Sequence, residues 1–309
     1  MYEEFYGFLG RPFSQVADPN CIFLSPQHAQ ALATVQYSVL TNAGLTLVTG
    51  ASGMGKTLLL RRAEANLDDS VIWGSIDNTH SDFKSILPWV ISAFELRAKM
   101  SDEVEMHEAL KDFLIESRES NRRVVLVIDE AHNLNRSALE EVRLLMNLNV
   151  HEGDGLQIIL VGQPQLREIL ENPNSAMLRQ HDLTSLAQRV SIDFSLDPLS
   201  WESTDEYITF RLSLFGGQPE IVGYVARAAI YFHSRGIPRL INAICDLALV
   251  YGFGESLETI DYKIIRQVLQ SKKVSLVHHR REERSQEQHD LQSAILFSHS
   301  IDIAKLERR

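Results

Sequence analysis

The chain has 309 residues, 44 % of them hydrophobic and 23 % charged, which is enough to bury a core without disulfide or metal staples and argues against global disorder. Thirty Lys and Arg against forty-one Asp and Glu leave a net charge of −11, so any attraction to nucleic acid or anionic lipid must come from a local patch. The apolar runs are far shorter than the roughly 18 residues that span a bilayer, and the opening MYEEFYGFLG is acidic where a signal peptide is basic. Cys21 and Cys245, with no C-x-x-C pair, suggest neither a disulfide framework nor a zinc site; a soluble, cytoplasmic, globular protein is expected.

No internal repeat of solenoid length is present. From residue 45, short apolar runs alternate with longer helical patterns: LTLVTG (45–50), VIWGSI (71–76), VVLVID (124–129), LQIILVG (156–162) and RVSIDF (189–194). Continuous Val, Ile and Leu suit strands buried on both faces, and the gaps suit helical crossovers. The prediction is an α/β fold with a five-stranded, mostly parallel sheet flanked by helices, occupying residues 1–198, with 1–44 as an N-terminal segment.

After Pro198 the pattern becomes helical. Ser200 is a fitting N-cap for a helix over 200–215 that Gly216-Gly217 stops. Pro219 is expected to open a second helix to His233, Pro238 a third through Gly252, and a fourth covers 261–270. Residues 199–270 therefore read as a small helical domain. Residues 271–309 form a polar tail with a dense charged stretch, HHRREERSQEQH (278–289), expected to be a solvated, partly disordered or partner-binding segment.

The segment Gly50-Ala51-Ser52-Gly53-Met54-Gly55-Lys56-Thr57 fits G-x-x-x-x-G-K-[ST] between a strand and a helix. The glycines let successive N–H groups turn inward onto phosphate oxygens, and a helix starting near Gly55 aims its positive end at the same anion. Lys56 can reach the β- and γ-phosphates and Thr57 can ligate Mg²⁺; the nucleotide-binding stretch is taken as Gly50 through Leu58. The strand over 124–128 runs into Asp129-Glu130-Ala131-His132, where a carboxylate lies at the strand end at which ligands bind in open α/β sheets. Asp129 is expected to hold Mg²⁺ through water, Glu130 to polarise the attacking water, and His132 to make a structural hydrogen bond. The cofactors implied are ATP and Mg²⁺.

Taken together these segments resemble the AAA+ ATPases, and within them the ExeA/GspA-like group. The likeness runs from residue 1 to about 270: MYEEFYGFLGRPFSQVADP, FLSPQHAQAL, IDEAHNL, LQIILVGQPQLREIL, LAQRV and GIPRLINAICDLAL match that group in order and spacing. The resemblance implies that Gln163, where Asn or Thr is more usual, is the sensor-1 residue. It also implies that Arg239 is sensor 2 on a helical lid, and that Arg189 is an arginine finger reaching a neighbouring subunit, with Arg179 a second candidate. A guanidinium suits such roles because it stays charged and forks onto phosphate oxygens. Pro12, Phe13 and the segment Ser25 to His28 fall near the adenine by the same analogy.

Members of that group help assemble secretion or pilus machinery and usually carry a membrane span and a peptidoglycan-binding region after the ATPase; the sequence to residue 309 has neither. It resembles stand-alone relatives that serve secretion, pilus or exopolysaccharide systems through a membrane-bound partner, as a homo-oligomeric ring or filament. The alternative is a DNA-binding regulator of transposition of the TniB/TnsC type, which needs a basic stripe; Arg61-Arg62 and Arg122-Arg123 are the candidates. A third reading, a nucleotide-gated scaffold without turnover, is disfavoured by Glu130.

Overall fold

The computed structural model describes residues 1–15, 21–77, 79, 85–99, 102–148, 155–171 and 183–271. Its elements run α1 (Tyr2–Tyr6), α2 (Pro26–Leu40), β1 (Leu45–Gly50), α3 (Lys56–Ala65), β2 (Val71–Ile76), α4 (Leu87–Ala93), α5 (Glu103–Glu119) and β3 (Arg123–Ile128). They continue with α6 (Arg136–Leu145), β4 (Gln157–Gly162), α7 (Gln165–Glu171), α8 (Thr184–Ala187), β5 (Val190–Leu196), α9 (Trp201–Leu214), α10 (Tyr224–Ser234), α11 (Pro238–Gly254) and α12 (Tyr262–Gln270). The chain divides into two compact units. One comprises Pro26–Ser52 and Lys56–Asp197; the other comprises Met1–Ser25, Gly53–Gly55 and the chain from Pro198 onward.

The first unit is built on a five-stranded sheet of order β2-β3-β4-β1-β5, in which every pairing is parallel. The sheet predicted as mostly parallel is therefore wholly so. The three inner strands carry the continuous aliphatic runs, and β1 and β4 are buried at every position. A strand covered on both faces is mostly apolar, which is why these runs lack the polar alternation of a one-sided sheet. The two edge strands are only partly buried. Leu45, Leu47, Leu126, Ile128, Ile158 and Leu160 share a core with Leu87, Val90, Met106, Leu110, Leu139 and Val142 of α4, α5 and α6. The intervening positions Val48, Val125, Val127, Ile159 and Val161 are equally buried. Truncating one of these aliphatic side chains to Ala costs about 2–5 kcal/mol. Helix starts are fixed locally: the Asp102 carboxylate accepts from Val104 and Glu105 N–H, and the Asn135 side chain accepts from Ala138 N–H, each cap contributing ~1 kcal/mol.

Among its described residues, the second unit is helical apart from one isolated bridge between Val222 and Ile260. Tyr2, Phe8 and Phe13 from the N-terminal segment pack with Leu199, Ile208, Leu212, Ile241, Ile244, Leu249, Ile264 and Val268. Ser200 caps α9 by accepting from Ser203 N–H, as the sequence indicated, and Asp261 caps α12 at Ile264 N–H. The expectation at Pro219 is corrected: Pro219–Ile221 is a 3-10 turn, and α10 begins only at Tyr224. The chain between them pairs with a distant segment, Ile260 N–H donating to Ile221 O and Gly223 N–H to Ile260 O. Arg227 reinforces the detour, its guanidinium donating to the carbonyls of Val222 and Pro219 and to Asp205 and Thr209. A second buried guanidinium, Arg211, donates to Pro12 O at 2.5 Å and to Ser14 O at 3.4 Å, pinning the N-terminal segment to α9. The third helix continues to Gly254 rather than Gly252.

Candidate nucleotide-binding site

The sheet unit places the two predicted motifs side by side. Lys56 opens α3 immediately after the loop that follows β1, and its side chain folds back so that Nζ donates to Gly50 O at 2.8 Å and Ala51 O at 3.1 Å. Only 5 % of Lys56 is exposed, and the carbonyl dipoles of Gly50 and Ala51 help to hold its buried ammonium. The next residue, Thr57, donates its hydroxyl to Asp129 Oδ2 at 2.5 Å across 72 positions of sequence. Asp129 stands just past β3 and is 3 % exposed; its other oxygen accepts from the Glu130 N–H at 2.7 Å. A hydroxyl and a carboxylate in contact are hard oxygen donors, the pair that suits Mg²⁺ shared with phosphate oxygens and water. Among the described residues no cluster of three or more His, Cys, Asp or Glu could cage a metal by itself.

Glu130 turns the chain with φ 51° and ψ 32°, the left-handed region, and the 3-10 turn Ala131–Asn133 follows it. Thr79, beyond the end of β2, steadies this corner by donating its hydroxyl to Glu130 O at 2.6 Å. His132 Nδ1 lies 3.4 Å from Glu130 Oε2 and, from its other neighbour, accepts the Gln163 N–H at 3.4 Å. The predicted structural bond of His132 is therefore present, and its donor is the main chain of Gln163, the expected sensor-1 position. Gly162 makes this possible, because a Cβ there would sit 3.2 Å from His132 N and 3.0 Å from a Leu166 methyl.

Within the other unit, Gly53 and Gly55 have φ of 84° and 90°, conformations that side chains resist. A Cβ on Gly53 would lie 2.6 Å from Arg239 Cβ, and the Arg239 N–H donates to Gly53 O at 3.2 Å. Arg239, in the first turn of α11, thus lies against the middle of the loop sequence. Met54 is fully buried, Ser52 exposed and Leu58 half-buried. Pro12 and Phe13 are buried in the helical unit; Ser25 belongs to that unit, whereas His28 is buried on α2 in the sheet unit.

Arg189 lies at the opposite end of the sheet from Lys56. It precedes Val190, which pairs with Leu45, while Gly50 pairs with Leu196; at ~3.3 Å per residue the strand separates Arg189 from the loop end of β1 by roughly 20 Å. Its guanidinium donates to Asn147 Oδ1 at 2.6 Å beside a cleft of about 350 Å³. Arg179 lies outside the described residues, as does the tail from residue 272.

A family described as "AAA domain" matches residues 39–170, the stretch holding the phosphate loop, Asp129 and Glu130. Residues 39–170 are an AAA domain. General secretion pathway protein A of Aeromonas hydrophila is 34 % identical over 254 residues, covering 82 % of this chain and 45 % of that protein. The resemblance to the ExeA/GspA-like AAA+ ATPases is borne out; the chain spans less than half the length of this relative. Among solved structures, Cdc6p from Pyrobaculum aerophilum superposes with a TM-score of 0.62 at 18 % identity, over 85 % of this chain and 70 % of that one. The Aeropyrum pernix ORC2 protein in its ADP form gives 0.60 at 12 %, over 94 % and 85 %. These likenesses establish the fold of an AAA domain with a helical C-terminal region.

No described helix is long and apolar enough to cross a membrane. Sequence reasoning missed Thr79 and the Gly162–His132 approach. A threonine three residues past a strand carries no local signal, and the approach depends on the neighbouring of β3 and β4, which only the sheet order reveals.

Proposed function

We propose that the protein binds Mg·ATP in the loop from Gly50 to Leu58 and hydrolyses it, with Glu130 as the base. The observation that carries this reading is the 2.5 Å contact between the Thr57 hydroxyl and Asp129, which joins the phosphate loop to the acidic strand end. Lys56 exchanges its two loop carbonyls for β- and γ-phosphate oxygens, and the main-chain N–H groups of the loop complete the cradle. Thr57 and Asp129 would hold the metal, Asp129 through water. Mg²⁺ supplies neutralisation of the charge that develops on the phosphoryl oxygens. Water attacks the γ-phosphorus, the bond to the bridging oxygen breaks, ADP and phosphate leave, and Glu130 receives the water's proton. Gln163 and Arg239 take the sensor-1 and sensor-2 roles; the Arg239 N–H on Gly53 O supports the second assignment.

Arg189 lies too far from the loop of its own sheet to touch that loop's phosphates, which supports the finger role toward a second copy in a homo-oligomer. The work driven by turnover is assembly or remodelling of an envelope machine of the secretion, pilus or exopolysaccharide type, from the cytoplasmic side and through a membrane-bound partner. The relationship to a protein named for the general secretion pathway supports this.

One observation favours DNA as the alternative partner: Arg118, Arg122 and Arg123 line a single cleft of about 270 Å³ at the N-terminal rim of the sheet. Arg61 and Arg62, on α3, are not among its lining residues. ATPase assays with and without double-stranded DNA across a salt series decide between the two. Turnover independent of DNA, with no binding at low salt, is expected; salt-sensitive stimulation by DNA would establish the alternative. Absence of turnover under all conditions, with ATP still bound, would leave a scaffold.

A further inference from the structure

The cleft of about 270 Å³ at the N-terminal rim gathers the entry points of four neighbouring strands. Ser70 precedes β2, Arg122 and Arg123 lead into β3, Gly155 precedes β4 and Asn42 precedes β1. Arg118, in the last turn of α5, joins them across a turn that is bonded at each step. Asn121 N–H donates to Arg118 O, Arg122 N–H to Ser117 O and Arg123 N–H to Ser70 O, each at 2.8 Å. Asn121 makes the turn with φ 56°, a left-handed conformation that Asn tolerates. Ser117, 1 % exposed, lies on the same side of α5 as the lining residues Leu114 and Asn121, and its hydroxyl has no hydrogen-bond partner among the described residues. Among the described residues no Asp or Glu lines the cleft, and no hydrogen bond or ion pair reaches the guanidinium of Arg122 or of Arg123. Asp68 feels Arg123, but its lowered pKa owes most to the Ser70 hydroxyl and then to the Ser70 N–H at 2.9 Å. The cleft is thus positive on a chain whose net charge is −11. Exposed apolar side chains stand at the same rim. Helix α2 ends at Leu40, two residues before Asn42 of the cleft; Leu40 is 65 % exposed and Tyr37, one turn earlier, 61 %.

We propose that this rim is a membrane-docking surface: the cleft of Arg118, Arg122 and Arg123 takes the phosphate of an anionic phospholipid, while Leu40 and Tyr37 enter the boundary between headgroups and acyl chains. The inference deepens the envelope reading above and rests on it for the presence of a membrane. Guanidinium groups fork onto phosphate oxygens, and an aliphatic and an aromatic side chain beside them suit the interfacial layer of a bilayer. Duplex DNA would offer the same phosphates but nothing for Leu40, and it calls for cations spread along a stripe rather than gathered in one cleft. Arg189 precedes β5, three strand spacings or roughly 14 Å along the rim from β3, so a lipid in this cleft leaves that arginine to its own role.

The test is co-sedimentation of the full chain with vesicles of phosphatidylcholine alone or of equimolar phosphatidylcholine and phosphatidylglycerol, with the melting temperature of each variant checked. Binding is expected to the anionic vesicles only and to weaken as salt rises. Arg122→Ser with Arg123→Ser should weaken it about 30-fold, and Leu40→Ser roughly threefold to tenfold. Arg61→Ser, which removes an exposed arginine outside the cleft, should change it by less than about twofold. Inorganic pyrophosphate and duplex DNA are offered in parallel. The proposal is overturned if anionic vesicles are not bound, if neutral vesicles bind as well, if the arginine pair or Leu40→Ser has no effect, or if Arg61→Ser costs as much as the pair. DNA bound through the same pair while vesicles are ignored would make the cleft a nucleic-acid site instead. Failure to bind vesicles together with DNA-independent ATP turnover would remove only this surface, whereas salt-sensitive stimulation of turnover by DNA would remove the envelope reading itself.

Discussion

The two rims of the parallel sheet carry opposite kinds of polar group. At the C-terminal rim, Lys56, Thr57 and Asp129 are drawn in and bonded to one another's loops, with Lys56 and Asp129 almost fully buried. At the N-terminal rim, Arg118, Arg122 and Arg123 are exposed, and Arg189 donates to the side-chain amide of Asn147. A parallel sheet sends all its strand ends of one polarity to one side, so the first rim can gather residues distant in sequence around a ligand. The second faces away from it. Under the proposed function the first rim serves its own nucleotide and the second serves a neighbour's.

Lys56→Ala strikes the first rim hardest: ATP binding should be lost outright by calorimetry, and retention of wild-type affinity would undo the division between the rims. Glu130→Gln should keep ATP affinity and lower steady-state turnover by ~10²–10⁴-fold. Arg189→Ala should leave ATP binding by the isolated subunit unchanged and lower turnover of the assembled protein by ~10³-fold. Mixing it with Glu130→Gln subunits should restore part of the activity, because complete sites form at mixed contacts; absence of restoration in verified mixed assemblies would place Arg189 among ordinary surface cations. The smallest effect is expected for Arg122→Ser with Arg123→Ser, whose DNA-free turnover should remain within about twofold of wild type. A larger fall would give those arginines a part in ATP turnover itself.

Much of this was legible in the sequence because it is local. The phosphate loop is consecutive residues between a strand and a helix, and the carboxylates follow a strand whose Val and Leu leave no doubt about its burial. The Ser200 cap is likewise read within four residues. What could not be read depends on partners far along the chain. Pro219 signals a helix start by its own chemistry, yet pairing with Ile260 and the grip of Arg227 hold that stretch as a turn. The last strand runs to Leu196, past the expected 194, because β1 continues beside it to Gly50. The convergence of Glu130, His132 and Gln163 required β3 and β4 to be neighbours, and nothing in the separate segments states that order.

With Glu130 as the proposed base, the left-handed backbone there would set stability against activity. A side chain longer than Asn or Asp in that region costs on the order of 1 kcal/mol, which folding must absorb from packing elsewhere. Asparagine would sit there with less torsional penalty and no capacity to take a proton. Selection for heat resistance alone would drift toward such a replacement, while selection for turnover would hold the strained glutamate in place; the corner after β3 is where these two pressures pull in contrary directions.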